Sequence, residues 1–269
     1  MKKLLALMLA LLMVFALAAC SKEDEEQEDL KDYLQKEEVV DSITNDEGDT
    51  FYFDLIDSET VTITKFDGKD QAHAVVIPET LDGKTVVAIS DEAFYACSKI
   101  NAITIPATVT KIGAYAFARC EMLTSIVIPD TVTEIGEGAF HGCKSLASLT
   151  IGASITAIPA YAFLECTSLT SVTVPATVKT VAQGAFYGCA ALESLTVEEG
   201  CEIIGAAAFQ NCTALETLVL PASVVSIGDL AFAGSENLYL EGITLPANTD
   251  CAAYEYVVEV LKPENKPAA

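Results

Sequence analysis

Phe94, Phe117, Phe140, Phe163, Phe186, Phe209 and Phe232 stand 23 residues apart, and no ordinary globular fold repeats a residue on such a ruler seven times. An alanine precedes each, from Ala93 to Ala231. Three residues after the first six come Cys97, Cys120, Cys143, Cys166, Cys189 and Cys212, with Ser235 in the seventh unit. Three further on stand Ile100, Leu123, Leu146, Leu169, Leu192, Leu215 and Leu238. Each unit then has a short alternating stretch such as Ile126-Val127-Ile128-Pro129, which reads as a strand. A unit this short, with one strand and one apolar side, cannot bury that side alone. Successive units therefore stack and share a continuous core, one parallel strand per coil, as a repeat solenoid.

The strand period places alternate side chains on opposite faces. In Thr124-Ser125-Ile126-Val127-Ile128 the isoleucines point inward, leaving Ser125 and Val127 outside. Gly113, Gly136, Gly205 and Gly228 precede the Ala-Phe turn, where a left-handed or tight backbone is expected, although Pro159 and Ala182 replace glycine in two units. The stretch Ala114 to Ala118 is expected to form a short helical turn on the back of the coil. The array ends irregularly. From Pro78 to Pro106 the interval is 28, with the excess around Asp82-Gly83, a turn dipeptide. Upstream, Thr50 to Phe53 and Thr60 to Phe66 alternate as a β cap, and downstream Asp250 is placed to cap a helix from Cys251 to Leu261 that stops before Pro263.

The unit A-F-x-x-C-x-x-L-x-x-I-x-I-P-x-x-V-x-x-I-G resembles the BspA-type leucine-rich repeat of bacterial surface proteins, over about residues 75 to 246. That resemblance implies a leucine-rich repeat solenoid with adhesion to host or neighbouring-cell proteins, or assembly of surface complexes, as its role. The N-terminus agrees with an exported protein. Lys2 and Lys3 precede a 16-residue run from Leu4 to Ala19 without a polar side chain, short for a membrane span and suited to a signal peptide. Its end, Leu17-Ala18-Ala19-Cys20, resembles the lipobox of bacterial lipoprotein precursors, which implies cleavage before Cys20 and lipidation of its sulfur; an ordinary secretory cut near Ala19 is the alternative.

The expected organisation is therefore a signal peptide over 1–19, an acidic tether over 20–49 carrying lipidated Cys20, and a β cap with a first irregular repeat over 50–88. The repeat array follows over 89–247, then a capping helix and tail over 248–269. Ser21 to Asp41 holds ten acids against three lysines, a block that stays solvated and extended. Across the chain 39 acids face 15 bases, a formal charge of −24 that argues against nucleic acid or anionic lipid as partners. The membrane is reached through the lipid anchor only.

The residue types that carry catalysis are sparse. With His73 and His141 the only histidines, a Ser-His-Asp or Cys-His arrangement has two candidates; His141 stands at a freely varying repeat position and His73 beside the first strand, neither marked out for catalysis. Asn211-Cys212-Thr213 matches a glycosylation sequon, a chance match under a bacterial lipobox. The cysteine column admits three states: packed reduced thiols bonded weakly to loop backbone, disulfides between adjacent coils, or metal ligation. Zinc sites usually draw on C-x-x-C pairs, and none occurs, so no metal or cofactor is expected. Cys201 and Cys251 lie off the column.

One surface is ordered. The outward strand positions read Ala102/Thr104, Ser125/Val127, Ser148/Thr150, Ser171/Thr173, Ser194/Thr196 and Thr217/Val219, a nearly uncharged hydroxyl face. Serine and threonine suit any exposed strand. The functional alternatives are a docking face for a polypeptide or glycan, or a water-ordering array. Lys99, Lys111, Arg119, Lys144 and Lys179 are candidate rim contacts. The resulting expectation is a lipid-anchored, non-catalytic surface protein that binds a macromolecular partner, most plainly protein. A structural envelope component and a nutrient- or glycan-capturing lipoprotein or hydrolase are the alternatives.

Overall fold

The structure, a computed structural model, describes residues 41–245 together with Ala253, Tyr256 and Val257. Cys20, the acidic segment before Asp41 and most of the expected C-terminal helix lie outside the described residues. The chain winds into a β-solenoid, each coil carrying two short strands. One series comprises β4 (His73–Val76), β7 (Ile100–Thr104), β9 (Ser125–Val127), β11 (Ser148–Thr150), β13 (Ser171–Val174), β15 (Ser194–Val197), β17 (Thr217–Val219) and β19 (Ile243–Thr244). The other comprises β6 (Lys84–Ile89), β8 (Lys111–Ile112), β10 (Glu134–Ile135), β12 (Ala157–Ile158), β14 (Thr180–Val181), β16 (Ile203–Ile204) and β18 (Ser226–Ile227). The regular coils pair in parallel with partners one period apart, such as Ser148 with Ser125 and Ile203 with Thr180. The coil-to-coil offset in sequence thus becomes a fixed register in space.

Upstream, β1 (Asp41–Thr44), β2 (Thr50–Leu55) and β3 (Thr60–Asp67) join the second series in the order β1-β2-β3-β6-β8-β10. β2 and β3 are antiparallel, so the cap turns the direction of the chain before the parallel winding begins. The extra residues of the first unit form the hairpin of β5 (Thr80–Leu81) and β6, with Asp82 at φ 50° and Gly83 at φ 72°. Two successive left-handed residues suit the twist of a two-residue hairpin.

The core is a stack of like on like. The seven periodic phenylalanines are fully buried and pile along the axis with centroids 5.0 to 5.3 Å apart, and from Phe117 onward their planes lie within 10° of parallel. The column begins earlier than the period suggests. Phe66, 28 residues before Phe94, stacks on it at 4.9 Å, Phe51 tilts against Phe66, and Tyr256 meets Phe232 edge-on at the far end.

The back of the coil is tighter than a helical turn. The residues two before and two after each periodic phenylalanine have positive φ, as in Tyr115 (52°) and Arg119 (60°) around Phe117. A helix needs an unbroken right-handed run, and these left-handed residues interrupt it. In exchange, alternate N–H groups turn along the solenoid axis: Glu92, Phe94 and Ala96 donate to the carbonyls of Ala114, Ala116 and Ala118 in the next coil, at 2.9, 2.7 and 2.8 Å. The intervening N–H groups of Ala93 and Tyr95 close bonds within their own coil.

Gly113, Gly136, Gly205 and Gly228 do not take the left-handed role that the sequence suggested, since none has positive φ. Their constraint is contact: a Cβ on Gly113 or Gly136 would sit under 3.0 Å from the backbone of the preceding coil. The left-handed positions instead hold Gly138 and Gly184, where the rings of Tyr115 and Tyr161 from the preceding coil fill the space a side chain would need. Along that column the residues run Tyr115, Gly138, Tyr161, Gly184, a large side chain leaning over a bare one.

Truncating the middle of the phenylalanine column in Phe163→Ala is expected to cost about 3–5 kcal/mol in urea unfolding, as for other large-to-small core changes. Ala207 holds φ 55° without glycine's freedom. Ala207→Gly is therefore expected to raise stability by about 0.5–1 kcal/mol, because the left-handed penalty exceeds glycine's entropic cost.

Candidate binding face

The first strand series brings the sequence-predicted hydroxyls onto one side of the solenoid. Inward residues Ile126, Val172, Leu195 and Leu218 are buried, while Thr104, Ser125, Val127, Ser148, Thr150, Ser171, Thr173 and Thr217 are exposed and Ser194 and Thr196 half-buried. Parallel register aligns them in two files. Ser148 stands beside Ser125, and Ser171, Ser194 and Thr217 stand in line; Thr150 stands beside Val127, and Thr173, Thr196 and Val219 in line. The second file extends to Val76 beside Thr104, and to Thr244 beside Val219. Val76 is 65% and Val127 61% exposed, so the face carries methyl groups as well as hydroxyls near its N-terminal end. Backbone pairing along it is interrupted between β7 and β9 and between β11 and β13, so it is three short sheets in sequence.

The candidate rim lysines are largely engaged. Lys111 meets Glu134 at 3.0 Å, Lys144 meets Glu121 at 2.8 Å and Lys179 meets Glu202 at 3.5 Å, each pair spanning adjacent coils. All are solvated, worth about 0–1 kcal/mol each. Lys144 also holds the Glu121 carboxyl below its ordinary range, through their hydrogen bond first and charge second. Asp91 and Asp130 serve the backbone instead, accepting the N–H of Ala114 and Ala153 one coil on, both at 2.7 Å.

The column cysteines are free thiols. Each buried sulfur donates to the carbonyl of the stacked phenylalanine of the preceding coil: Cys120 to Phe94, Cys143 to Phe117, Cys166 to Phe140, Cys189 to Phe163 and Cys212 to Phe186, at 3.2 to 3.5 Å. Cys97, at the end of the column, is half-buried and 4.0 Å from the Phe66 carbonyl. Burial pushes the thiols up, Cys97 to about 11, Cys143 and Cys212 to about 12, and Cys120, Cys166 and Cys189 well above the ordinary value. These are packing groups that quiet a carbonyl, not nucleophiles. Among the described residues no three of His, Cys, Asp and Glu come together as metal ligands.

A cleft of about 810 Å³ opens between the 64–70 segment and the first coil, lined among others by Lys65, Asp67, His73, Cys97 and Lys99. It holds a cysteine and a histidine without coupling them. Both ring nitrogens of His73 face oxygens, Nδ1 that of Gln71 at 2.8 Å and Nε2 that of Asp49 at 3.0 Å, and the Cys97 thiol keeps its proton. His141 is half-buried on a turn. The His73–Asp49 contact has no periodic signature, because Asp49 belongs to the cap and His73 to the first, irregular coil, and no other coil repeats the pair.

Short parallel strands one period apart, a stacked core and irregular ends define a bacterial leucine-rich repeat solenoid. The description "BspA type Leucine rich repeat region" matches residues 87–215 and 179–255 in six copies, and the chain belongs to that family. It is similar in structure to the T. pallidum leucine rich repeat protein, at 32% identity and a TM-score of 0.67, covering 81% of this chain and 96% of that one. A leucine rich cell surface protein from Faecalibacterium prausnitzii gives 30% identity and a TM-score of 0.65, over 79% of this chain and 56% of that one. A leucine-rich repeat protein from Eubacterium ventriosum gives 26% identity and 0.63, over 72% and 49%. The chain thus spans about half the length of the latter two. No curated protein matches it.

The thiol column sets an alkaline limit. A thiol whose folded value is raised stabilises the fold fully below the unfolded thiol's range, and that stability is lost as pH rises from 9.0 towards about 12. Each such thiol steepens the loss by about 1.4 kcal/mol per pH unit. With reductant present, the urea midpoint is expected to hold to about pH 8.5 and then fall steeply by pH 10.5, and Cys143→Ala to fall less steeply. A midpoint independent of pH across that interval would contradict the role given to the column.

Proposed function

We propose that this protein is held on the outside of a bacterial cell by a lipid on Cys20 and binds a macromolecular partner, without catalysis, through the strand face of its solenoid. The observation that carries this reading is the uncharged set of outward hydroxyls, in register from Ser125 to Ser148 with Thr150 beside Val127, and again from Ser171 and Thr173 through Ser194 and Thr196 to Thr217, with Thr104 outward on β7. Among the described residues, Lys111, Lys144 and Lys179 are held in ion pairs and Asp91 and Asp130 on backbone N–H groups, whereas these outward strand positions carry no charge that a partner would have to desolvate. Membership of a family with bacterial surface relatives favours an interaction role, as extended concave or flat faces are what repeat solenoids offer. A polypeptide partner suits it better than a glycan, because the chain has no tryptophan and the face no aromatic platform for a sugar ring. Export and anchoring rest on the Lys2-Lys3 flank, the apolar run to Ala19 and Leu17-Ala18-Ala19-Cys20.

The compact unit from Ser42 to Ala269 is the probe. Immobilised and exposed to bacterial and host surface extracts, it is expected to retain a protein partner. Ser148→Lys, Thr150→Lys, Ser171→Lys and Thr173→Lys in combination should weaken that binding about 100-fold or more, with circular dichroism and the urea midpoint unchanged, since several charges would be buried at an interface. Retention by the fourfold variant at full affinity would move the site off this face. Metabolic labelling with a fatty acid is expected to mark the full chain and not Cys20→Ser.

A further inference from the structure

The Asp49–His73 contact joins the cap to the first coil across 24 residues of sequence. Asp49 lies at the end of the turn between β1 and β2. That turn is closed locally: Asn45 Oδ1 accepts the N–H of Glu47 and of Asp49, and the Asn45 N–H donates to the Asp49 carbonyl. The Asp49 side chain is 1% exposed, with Oδ1 on the His73 ring and Oδ2 buried without a partner. His73 begins β4, where its N–H donates to the Lys99 carbonyl, so the ring hangs from the solenoid proper. The ring is therefore a strut between the first hairpin and the first coil.

Proton accounting fixes the state of that strut. A carbonyl oxygen has no proton to give, so Nδ1, 2.8 Å from the Gln71 oxygen, must donate. An ionised carboxylate also only accepts, so Nε2 must donate to Asp49 as well. The pair therefore holds one proton more than a neutral ring beside a carboxylate, wherever between nitrogen and oxygen that proton rests. Remove it and a bare nitrogen faces a buried carboxylate that already lacks one partner.

We infer that Asp49 and His73 form a pH-operated clasp that closes the β1–β2 turn onto the first coil when the pair is protonated and releases it when the proton leaves. The other charged groups lining the cleft with His73 come from the end of β3 (Lys65, Asp67), from the segment after it (Lys69, Asp70) and from the first coil (Asp91, Glu92, Lys99, with the Cys97 thiol). Lysines and carboxylates ordinarily keep their charge between about pH 5.5 and 8.5, and histidine is the side chain whose charge ordinarily changes there. The direction follows from the proton count: closure goes with the proton held and is lost when it leaves, so it weakens as pH rises. Losing one charge-assisted buried hydrogen bond corresponds to an increase in turn opening of about 10- to 100-fold.

The test is amide hydrogen exchange of the full chain, followed at Gly48 and Asp49 and expressed as protection relative to core amides such as Phe163. From about pH 5.5 to 8.5, protection of the turn is expected to fall at least about tenfold while the core is unchanged. His73→Ala is expected to be open at both pH values, and His73→Gln, whose amide N–H can donate to Asp49 without titrating, to be closed at both. Asp49→Asn is expected to stay closed at both, because its amide N–H donates to the neutral Nε2. Ring ¹⁵N shifts should show both nitrogens of His73 protonated at about pH 5.5. Turn protection that is flat with pH in the parent chain, or a pH profile retained by His73→Gln, overturns the clasp.

Discussion

The repeat follows from the requirement that the backbone polar groups of each coil find partners in the next. The strands meet that requirement in the ordinary way, by parallel pairing. The corner does not have a strand, and it solves the same problem by alternating handedness, so that Phe94 and its neighbours at 92 and 96 donate along the axis while 93 and 95 close the turn. With its amides committed in this way, the corner holds its phenylalanine at one place in every coil, and the aromatic column is a consequence of the backbone ladder. The alanine before each phenylalanine has the same origin: its carbonyl receives the N–H from the coil before, and its buried side chain has no room to grow. The thiol three residues on completes the corner of the coil before it, donating to the spare lone pair of that coil's phenylalanine carbonyl. Each element of the repeat is thus a reply to the orphaned polar groups of a very tight turn.

That logic explains which parts of the fold were legible. Periodicity locates residues that every coil must place identically, so the phenylalanines, the thiols, the inward Ile126 and Ile128 and the outward Ser125 and Val127 could be assigned from spacing. The Asp82-Gly83 hairpin was legible because its five extra residues break the interval. The same excess separates Phe66 from Phe94, which was the available signal that the column extends into the cap. The glycines at 113 and 136 recur in register for close contact and do not mark the left-handed positions. The better signal was the two columns where glycine recurs irregularly, at 138 and 184 and at 142, 188 and 234, among residues with nothing else in common. A position that accepts Glu92, Tyr115, Ala207 and Leu230 as well as glycine is fixed by backbone and indifferent to side chain.

The outward face was legible as a pattern before it was visible as a surface, because strand alternation leaves no freedom about which side chains share a side. What spacing could not supply was its segmentation into three short sheets, or the ion pairs that occupy the candidate rim lysines. The Asp49–His73 strut was invisible for a further reason. It joins the cap to the first coil, once, and a contact made once leaves no trace in a repeating pattern. Function on a solenoid is expected in such places, where one coil departs from its neighbours, and on the face where agreement among coils adds up to an area.

The tyrosines that lean over glycines carry a consequence for how such a chain changes length. Tyr115 needs Gly138 after it, and Tyr161 needs Gly184, because each ring occupies the place of the next coil's side chain. On that stretch a coil bearing a ring alternates with one that receives it. Deleting the coil of Gly138 would set Tyr115 against Tyr161, while removing a ring-bearing coil together with its receiver leaves every remaining neighbour compatible. The sequence repeats every coil, but in this column the heritable unit is the pair.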